Sequence, residues 1–407
     1  MHKYLKAIGF TELKKKQEIR EILRQTADEF DSQQAVSLDE TSEFYELKKQ
    51  YGDSVTVLSA ADFDDQEKIH IIWKNGVRYF LMNRTIGKHL LNDFPNPMPP
   101  MCAWVSNNLF VATCVRELND LLRDSNFDLI HVHDYFLLNA LELILKKINI
   151  PVVATVNDFP NHFGEGMRNY MLRNATNVIV VSEWLRDVVL ERFQFMHPEV
   201  IQVIANGVSM PDEMQNISGN HNNYITFSGR LEYKKGVDIL INAYATALEK
   251  DETLPDLVIM GDGTGRRNFV KIAQELGISH RVHFTGMISN LDVHQNLINS
   301  AMHVVPSLAE PFGITAIESM LDGTPVIASN SGGLKEIVED EKTGLLVSPG
   351  DVDMLASAIL RLWQHPELRK KLAGASIEKA RNVYTWENVS AFTRNVYTQA
   401  IANGNGC

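Results

Sequence analysis

No stretch of this chain approaches the ~20 consecutive apolar residues of a membrane span, so no transmembrane helix is expected. Cysteine is scarce. The three, Cys102, Cys114 and Cys407, have no metal-ligand spacing and cannot build a disulfide framework. Cys102 and Cys114 are expected as small core residues and Cys407 on a frayed tail. Basic charge is also short: 39 Lys and Arg stand against 51 Asp and Glu, a net charge of −12. A surface of that sign disfavours nucleic acid and anionic lipid as partners of the whole molecule. It leaves room for a local basic groove that takes a polyanionic acceptor, and for peripheral membrane contact. The start, Met1-His-Lys-Tyr-Leu-Lys6, lacks the apolar core of a signal peptide, and the expected location is cytoplasmic. Neither a Walker loop nor a Rossmann GxGxxG occurs, which disfavours a P-loop ATPase and an ordinary dehydrogenase.

What is present suits two globular domains: 407 residues, 44% of them hydrophobic. The first fifty residues are charge-rich and read as helical, with Leu13–Leu23 a solvated helix. Val55–Ser59 is the first clear strand. His70–Trp73 and Val77–Leu81 flank Asn75-Gly76, a strong hairpin signal. Pro95, Pro97, Pro99 and Pro100 stiffen a loop, and Leu109, Val111, Val115, Leu118 and Leu122 then recur at helical spacing. From there strands and helices alternate. Strands are expected at Asp128–Val132, Pro151–Val156, Asn177–Ser182 and Val200–Ala205, with a helix over Trp184–Phe193. Met210–Asn223 is polar and turn-rich, a linker. A second series follows, with strands Tyr224–Ser228, Leu257–Met260, Val282–Thr285, Met302–Pro306, Pro325–Ser329 and Leu345–Val347. Helices between them include Val237–Glu249, Arg267–Leu276 and Val293–Ala301; Asp353–Trp363, Pro366–Val383 and Trp386–Ile401 come after. The strand runs are short, rich in Val and Ile and apolar on both faces, as buried parallel strands are. The expected fold class is α/β, with two doubly wound Rossmann-like domains facing a cleft.

The chemistry gathers where strands end. Glu310-Pro-Phe-Gly-Ile-Thr-Ala-Ile-Glu318 sets two carboxylates eight positions apart around a helix start. A helix start after a parallel strand offers outward N–H groups to phosphate. The plain alternatives are a helix-start acid at Glu310 and a solvated residue at Glu318. Gly229-Arg230 ends the first strand of the second series, and Lys235-Gly236 opens the next helix. Arg230 offers a planar fork to phosphate oxygens and Lys235 a point charge, unless both are plain surface cations. Gly261-Asp262-Gly263 ends the second strand, where glycine permits close backbone approach or a simple tight turn. Gly286-Met287-Ile288 ends the third, where backbone groups can read a base edge. Gly332-Gly333 follows the fifth, near a sugar or as a turn. His131 and His133 share one strand face, with Asp134 next, but no further ligands have zinc spacing. Asp62-Phe-Asp64 reads as a turn and Asp351-Val-Asp353 as a helix cap. No metal site is expected.

Taken together and in order, these residues resemble the family-4 retaining glycosyltransferases of the GT-B fold, the group that includes glycogen-synthase-like and bacterial surface-glycan enzymes. The likeness covers roughly residues 127 to 401. It rests on Glu310–Glu318, on Gly229-Arg230 with Lys235-Gly236, and on Asn206-Gly207-Val208. Gly323-Thr-Pro-Val-Ile327, Gly332-Gly333 and Gly344–Gly350 complete it. The resemblance implies an acceptor-side domain over 1–208, of which 1–54 diverge, a linker over 209–223, a nucleotide-sugar domain over 224–385, and a tail segment over 386–407 whose helix crosses back to the first domain. It implies a nucleotide-diphosphate sugar as donor, a uridine-diphosphate sugar by family frequency, and no required cofactor. Arg230 and Lys235 would neutralise the diphosphate, and Glu310 would hold donor-sugar hydroxyls. Glu318 would receive the ribose. Gly229, Gly261, Gly263, Met287, Ile288, Phe312, Gly313, Ile314 and Thr315 would line the donor site. The acceptor would be a glycan, a lipid-linked sugar or a small molecule, and transfer would retain anomeric configuration without obligatory metal.

The chain departs from that pattern twice. Residues 1–54 show no glycine-rich loop near the expected acceptor. Where related enzymes carry a His after the strand Pro151–Val156, this chain has Asn157, with His162 five residues on as a substitute. Asn157, His162, His133 and Asn206 are the further cleft-lining candidates. Two other readings stand beside transfer: a nucleotide-sugar epimerase of the same fold, for which His131, His133 and Asp134 would serve, and a non-catalytic nucleotide-sugar-binding subunit.

Overall fold

In a computed structural model the described residues are 43–51, 56–61, 69–74, 77–83, 127–133, 150–158, 172–209 and 224–404. The chain divides into two compact units. One holds Met1–Thr155, Pro160–Val178 and Ser390–Cys407, the other Val156–Phe159 and Ile179–Val389. The expected helix over Leu13–Leu23, the linker over Met210–Asn223, the helix over Leu109–Leu122, the three cysteines, Asp62, Asp64 and Asp134 lie outside the described residues.

The first elements are α1 (Glu43–Tyr51), β1 (Thr56–Ala61), β2 (Ile69–Lys74) and β3 (Val77–Asn83). They include a three-stranded sheet in the order β1-β3-β2, with β1 parallel and β2 antiparallel to β3. The β2–β3 register pairs Lys74 with Val77, so the two strands run antiparallel on either side of Asn75-Gly76, as expected. Next come β4 (Ile130–Val132), β5 (Val152–Val156), β6 (Asn177–Val180), α2 (Glu183–Arg192) and β7 (Ile201–Val203), with a sheet in the order β4-β5-β6-β7. β6 stops short of the expected Ser182 because that serine is the N-cap of α2, its side chain accepting from the Leu185 amide.

The second series comprises β8 (Tyr224–Ser228), α3 (Val237–Lys250), β9 (Asp256–Met260), α4 (Arg266–Glu275), β10 (Val282–Gly286), α5 (Asn290–Ile298), β11 (Ser300–Val305), α6 (Ile314–Leu321), β12 (Val326–Ser329), α7 (Leu334–Ile337) and β13 (Gly344–Val347). Its six strands are all parallel, in the order β10-β9-β8-β11-β12-β13. Every residue of β11 is buried, the polar Ser300 and His303 among them, so its apolar residues fall on both faces. On α3 the residues Val237, Leu240, Ile241, Tyr244 and Ala247 recur every three or four positions and all lie in the core. The core spreads under the sheet through Phe227, Leu231, Phe269, Val304 and Ile359.

This strand order sets the site. From β8 the chain winds outward through β9 to β10, then returns to β11 on the other flank and winds outward through β12 to β13. The direction of winding reverses between β8 and β11. In open α/β sheets such a switch point leaves a crevice at the carboxyl ends of the two strands, because their following loops diverge.

Most differences from expectation lie at element ends and have local causes. β11 ends at Val305 rather than at Pro306, since proline has no N–H for the ladder. α5 begins at Asn290 rather than Val293, because Ser289 caps it by accepting from the Asp292 amide. Asp351 caps the helix α8 (Val352–Gln364) as read from the sequence, its Oδ1 accepting from the Met354 amide at 2.8 Å. After α9 (Pro366–Val383), α10 (Trp386–Gly404) starts in the second unit and continues in the first from Ser390, the return helix the sequence implies.

Candidate functional site

The loops after β8 and β11 meet across the switch point. After Ser228, Gly229 takes φ 146° and the chain makes a single 3-10 turn over Tyr233–Lys235. Gly236 then caps α3 at φ 69°, where an added Cβ would overlap the Pro306 carbonyl. Both the left-handed backbone and the approach of the second loop therefore require glycine. The Leu308 amide donates to the Lys234 carbonyl at 2.9 Å, tying the two loops together. Lys235 Nζ donates to Glu310 Oε2 at 2.7 Å, and Ser307 Oγ donates to the same oxygen at 3.0 Å. Glu310 is only 8% exposed, so a carboxylate there needs these donors. Its Oε1 makes no hydrogen bond among the described residues. The carboxylate is thus fixed on one side and left with acceptor capacity on the other. This is not the plain helix-start role the sequence allowed it, since Gly313 and not Glu310 is the N-cap of the helix that follows.

Arg230 is oriented differently. Its Nη1 lies 3.3 Å from Glu232 Oε1 and its Nη2 lies 4.0 Å from Asp158 Oδ2. Glu232 also pairs with Lys234 at 3.4 Å. These ion pairs are exposed and worth little for stability, but they restrain the guanidinium. Sequence reading missed Asp158, Glu232 and Ser307. The strand-end position of Asp158, one residue past Asn157, was the available signal.

Gly313 precedes α6 at φ 122°, and no side chain caps the helix. The first-turn amides of Ile314 and Thr315 have no intrahelical acceptor by construction, so they remain donors for an anion. Ile314 is exposed and Thr315 half-buried, whereas Phe312 is buried, packing edge-on to Tyr384 with ring centroids 6.1 Å apart. Phe312 can therefore offer only its backbone. Two turns along, Glu318 is half-buried rather than a solvated helix residue. Burial pushes its carboxyl pKa up; His294 opposes this and Asp322 adds to it. His294 Nδ1 lies 2.7 Å from Asp322 Oδ2, with both side chains fully buried. Neither His294 Nε2 nor Asp322 Oδ1 has a hydrogen-bond partner among the described residues. This pair behind Glu318 was not read from the sequence.

Other glycines of these loops stand close to neighbouring backbone. An added Cβ on Gly261 (φ 126°) would overlap the Gly229 carbonyl, and one on Gly263 would sit 2.7 Å from the Leu231 carbonyl. The β8 and β9 loops are joined there by Gly229 N to Met260 O and Leu231 N to Asp262 O, both 3.0 Å. A Cβ on Gly332 (φ 54°) would overlap the Glu310 carbonyl, which also accepts from the Gly333 amide at 2.8 Å. Gly332-Gly333 thus acts on the Glu310 loop itself. Met287 is 79% exposed and Ile288 packs partly against Val258, Met260 and Leu297. Asn157 is exposed and Asn206 half-buried. Gly207 lets the Trp386 ring lie against the backbone, and the Val208 amide donates to Tyr384 O at 2.8 Å, so these two residues pack at the start of α10. His162 lies outside the described residues. In the first unit, His131 Nδ1 is 2.6 Å from Tyr397 Oη and Nε2 is 2.7 Å from Thr155 Oγ1. Burial, with His133 beside it at 3.9 Å between ring centroids, holds the His131 pKa well below its ordinary value. Both its nitrogens are thus hydrogen-bonded to hydroxyls.

A family model described as glycosyl transferases group 1 matches residues 211–379, and one described as glycosyltransferase family 4 matches residues 49–210. A third, described as a domain of unknown function, matches residues 5–85. An uncharacterized glycosyltransferase of Methanocaldococcus jannaschii is 30% identical over 336 residues, covering 75% of this chain and 83% of the relative. Among solved structures, sucrose-phosphate synthase from Thermosynechococcus elongatus aligns with a TM-score of 0.69 at 23% identity, over 88% of this chain and 91% of its own. Anabaena HepE in complex with UDP-glucose aligns with a TM-score of 0.63 at 21% identity, over 84% and 99%. At these identities the structural likeness establishes the fold.

Proposed function

The chain belongs to family 4 of the glycosyltransferases, with the GT-B fold, and on that premise we propose that it moves a hexose-type sugar from a nucleotide-diphosphate sugar to a glycan, lipid-linked or small-molecule acceptor, with retention and without obligatory metal. The observation that carries the reading is the junction at the strand-order switch. There Lys235 and Glu310 are bonded to each other and a capless helix start follows. A uridine-diphosphate donor is favoured because the Anabaena neighbour was solved with UDP-glucose.

In this reading Arg230 and Lys235 neutralise the diphosphate, joined by the amides of Ile314 and Thr315. Glu310 Oε1 receives hydroxyls of the donor sugar, and Glu318 receives the ribose. The sugar C1–oxygen bond to the phosphate breaks as the acceptor oxygen bonds to C1 on the same face. The departing phosphate oxygen takes the acceptor proton. Charge grows on that phosphate in the transition state, so donors already fixed around it lower the barrier without reorganising. Acceptor recognition falls to the N-terminal domain, and the cytoplasm is the proposed location.

Nucleotide release from a panel of nucleotide sugars, with and without candidate acceptors, tests this. Acceptor-dependent release from one donor, lost in Arg230→Ala and Glu310→Ala, is the expected result. Tight binding without release from any donor identifies a binding subunit instead. Exchange at a sugar carbon without transfer identifies an epimerase.

A further inference from the structure

The N-terminus of α2 is capped by a residue about 150 positions away. Glu336, on α7, accepts from the Glu183 amide through Oε2 and from the Trp184 amide through Oε1, both at 2.9 Å. Ser182 Oγ accepts from the Leu185 amide at 3.1 Å and donates its own proton to the Pro311 carbonyl at 2.7 Å. The three free amides of the first turn are thus all satisfied, two of them by one carboxylate. Such charge-assisted bonds at a positive helix end are among the stronger ones available to a protein. α7 is anchored in turn: Lys379 Nζ donates to the Glu336 carbonyl at 3.1 Å and to Glu339 Oε1 at 2.9 Å.

The acceptor of the Ser182 proton is what makes the arrangement more than a cap. Pro311 follows Glu310 directly. The Glu310 carbonyl is held from the other side by the Gly333 amide at 2.8 Å, and the Ser307 carbonyl by Ser331 Oγ at 2.8 Å. The Glu310 loop is therefore gripped at three points, the carbonyls of Ser307, Glu310 and Pro311. Two grips come from the strand-end loop that leads into α7 and one from the N-cap residue of α2. Glu336 joins those gripping elements. Proline has no amide, so the Pro311 carbonyl is that residue's only backbone handle.

We propose that Glu336 and Ser182 are positioning residues for Glu310: by locking the start of α2 to α7 they fix the Pro311 carbonyl and hence the direction in which Glu310 presents its free oxygen. This rests on the reading that Glu310 holds the donor sugar. A carboxylate that must meet sugar hydroxyls needs placement to about half an ångström, and Lys235 alone fixes only one of its oxygens.

The test compares affinities of the full chain for UDP and for UDP-glucose, UDP-galactose, UDP-N-acetylglucosamine, GDP-mannose and ADP-glucose, each sugar nucleotide against its own nucleotide, by calorimetry. Glu336→Gln is expected to weaken the preferred sugar nucleotide about tenfold while leaving the bare nucleotide within about twofold. A purely structural role would weaken both alike. Ser182→Ala, which removes one hydroxyl, is expected to act in the same direction by about threefold to tenfold and serves if Glu336→Gln does not fold. Glu310→Gln/Glu336→Gln should bind no more weakly than Glu310→Gln, as residues acting through one another do. Losses that add, or a Glu336→Gln or Ser182→Ala loss shared equally by the bare nucleotide, overturn the proposal. An unchanged preference in Glu310→Gln, or no binding by any of the panel, overturns the reading beneath it and the proposal with it.

Discussion

Lys235 Nζ sits 2.7 Å from Glu310 Oε2, joining the loops that leave β8 and β11 where the winding of the sheet reverses. Both side chains are mostly buried, so each neutralises the other before any ligand arrives. Removing one partner leaves an uncompensated charge; Lys235→Met is expected to lower stability by about 1–3 kcal/mol and turnover by about a hundredfold or more. Adding Glu310→Gln should restore most of the stability and none of the turnover. Thermal melts and nucleotide release measure the two effects separately.

Two glycines with left-handed backbones should behave differently. Gly277 has φ 73° and open space around its Cβ position, whereas Gly332 has φ 54° and faces the Glu310 carbonyl. Gly277→Ala is expected to cost about 1 kcal/mol of stability, the price of a strained φ alone, with turnover unchanged. Gly332→Ala must also displace the Glu310 loop and should lower turnover at least about tenfold. Steady-state kinetics beside denaturant unfolding separates strain from misplacement.

The buried His294–Asp322 pair gives a pH dependence of definite sign. Burial pulls the His294 pKa down, but its bond to Asp322 and the charges of Asp322 and Glu318 outweigh that and leave it raised. Burial raises the Asp322 and Glu318 pKa values, with His294 opposing. A histidine with a raised folded pKa contributes stability that is fully present below its unfolded value and is lost as pH rises through the folded one. Carboxyls with raised folded pKa values also favour the more acidic side. Stability in urea is therefore expected to fall from pH 6 to pH 8.5. His294→Gln should flatten that fall, and a wild-type curve that rises over this range contradicts the assignment.

Much of the second series and its candidate site was legible in the sequence because their demands are local. Gly261 and Gly263 announce close backbone approach, and the flanking Val- and Ile-rich runs announce buried parallel strands. Glu310 and Glu318 were found by spacing. What spacing does not carry is partnership across the sheet. Lys235 with Glu310, Ser182 with Pro311, and His294 with Asp322 are neighbours only because strand order brings distant loops together. At Gly261-Asp262-Gly263 the close backbone approach read from the glycines is present, and it is made to the loop after β8. Element ends slipped where a serine cap or a proline decided the boundary, as at Ser182, Ser289 and Pro306.

The proposed chemistry places the charge that builds on the departing phosphate against Arg230, Lys235 and the start of α6 alone. Turnover is therefore expected to survive excess chelator and to gain less than about twofold from added magnesium or manganese. Loss in chelator that added metal restores would assign that charge to an ion.

The central claim is that the Lys235–Glu310 junction handles a nucleotide sugar during transfer. Acceptor-dependent nucleotide release by the wild-type chain, compared with Lys235→Met and Glu310→Gln, tests it most directly. The account predicts release from one donor in the wild type and loss of about a hundredfold or more in each variant, with the fold retained. Release that continues undiminished in both variants would contradict it.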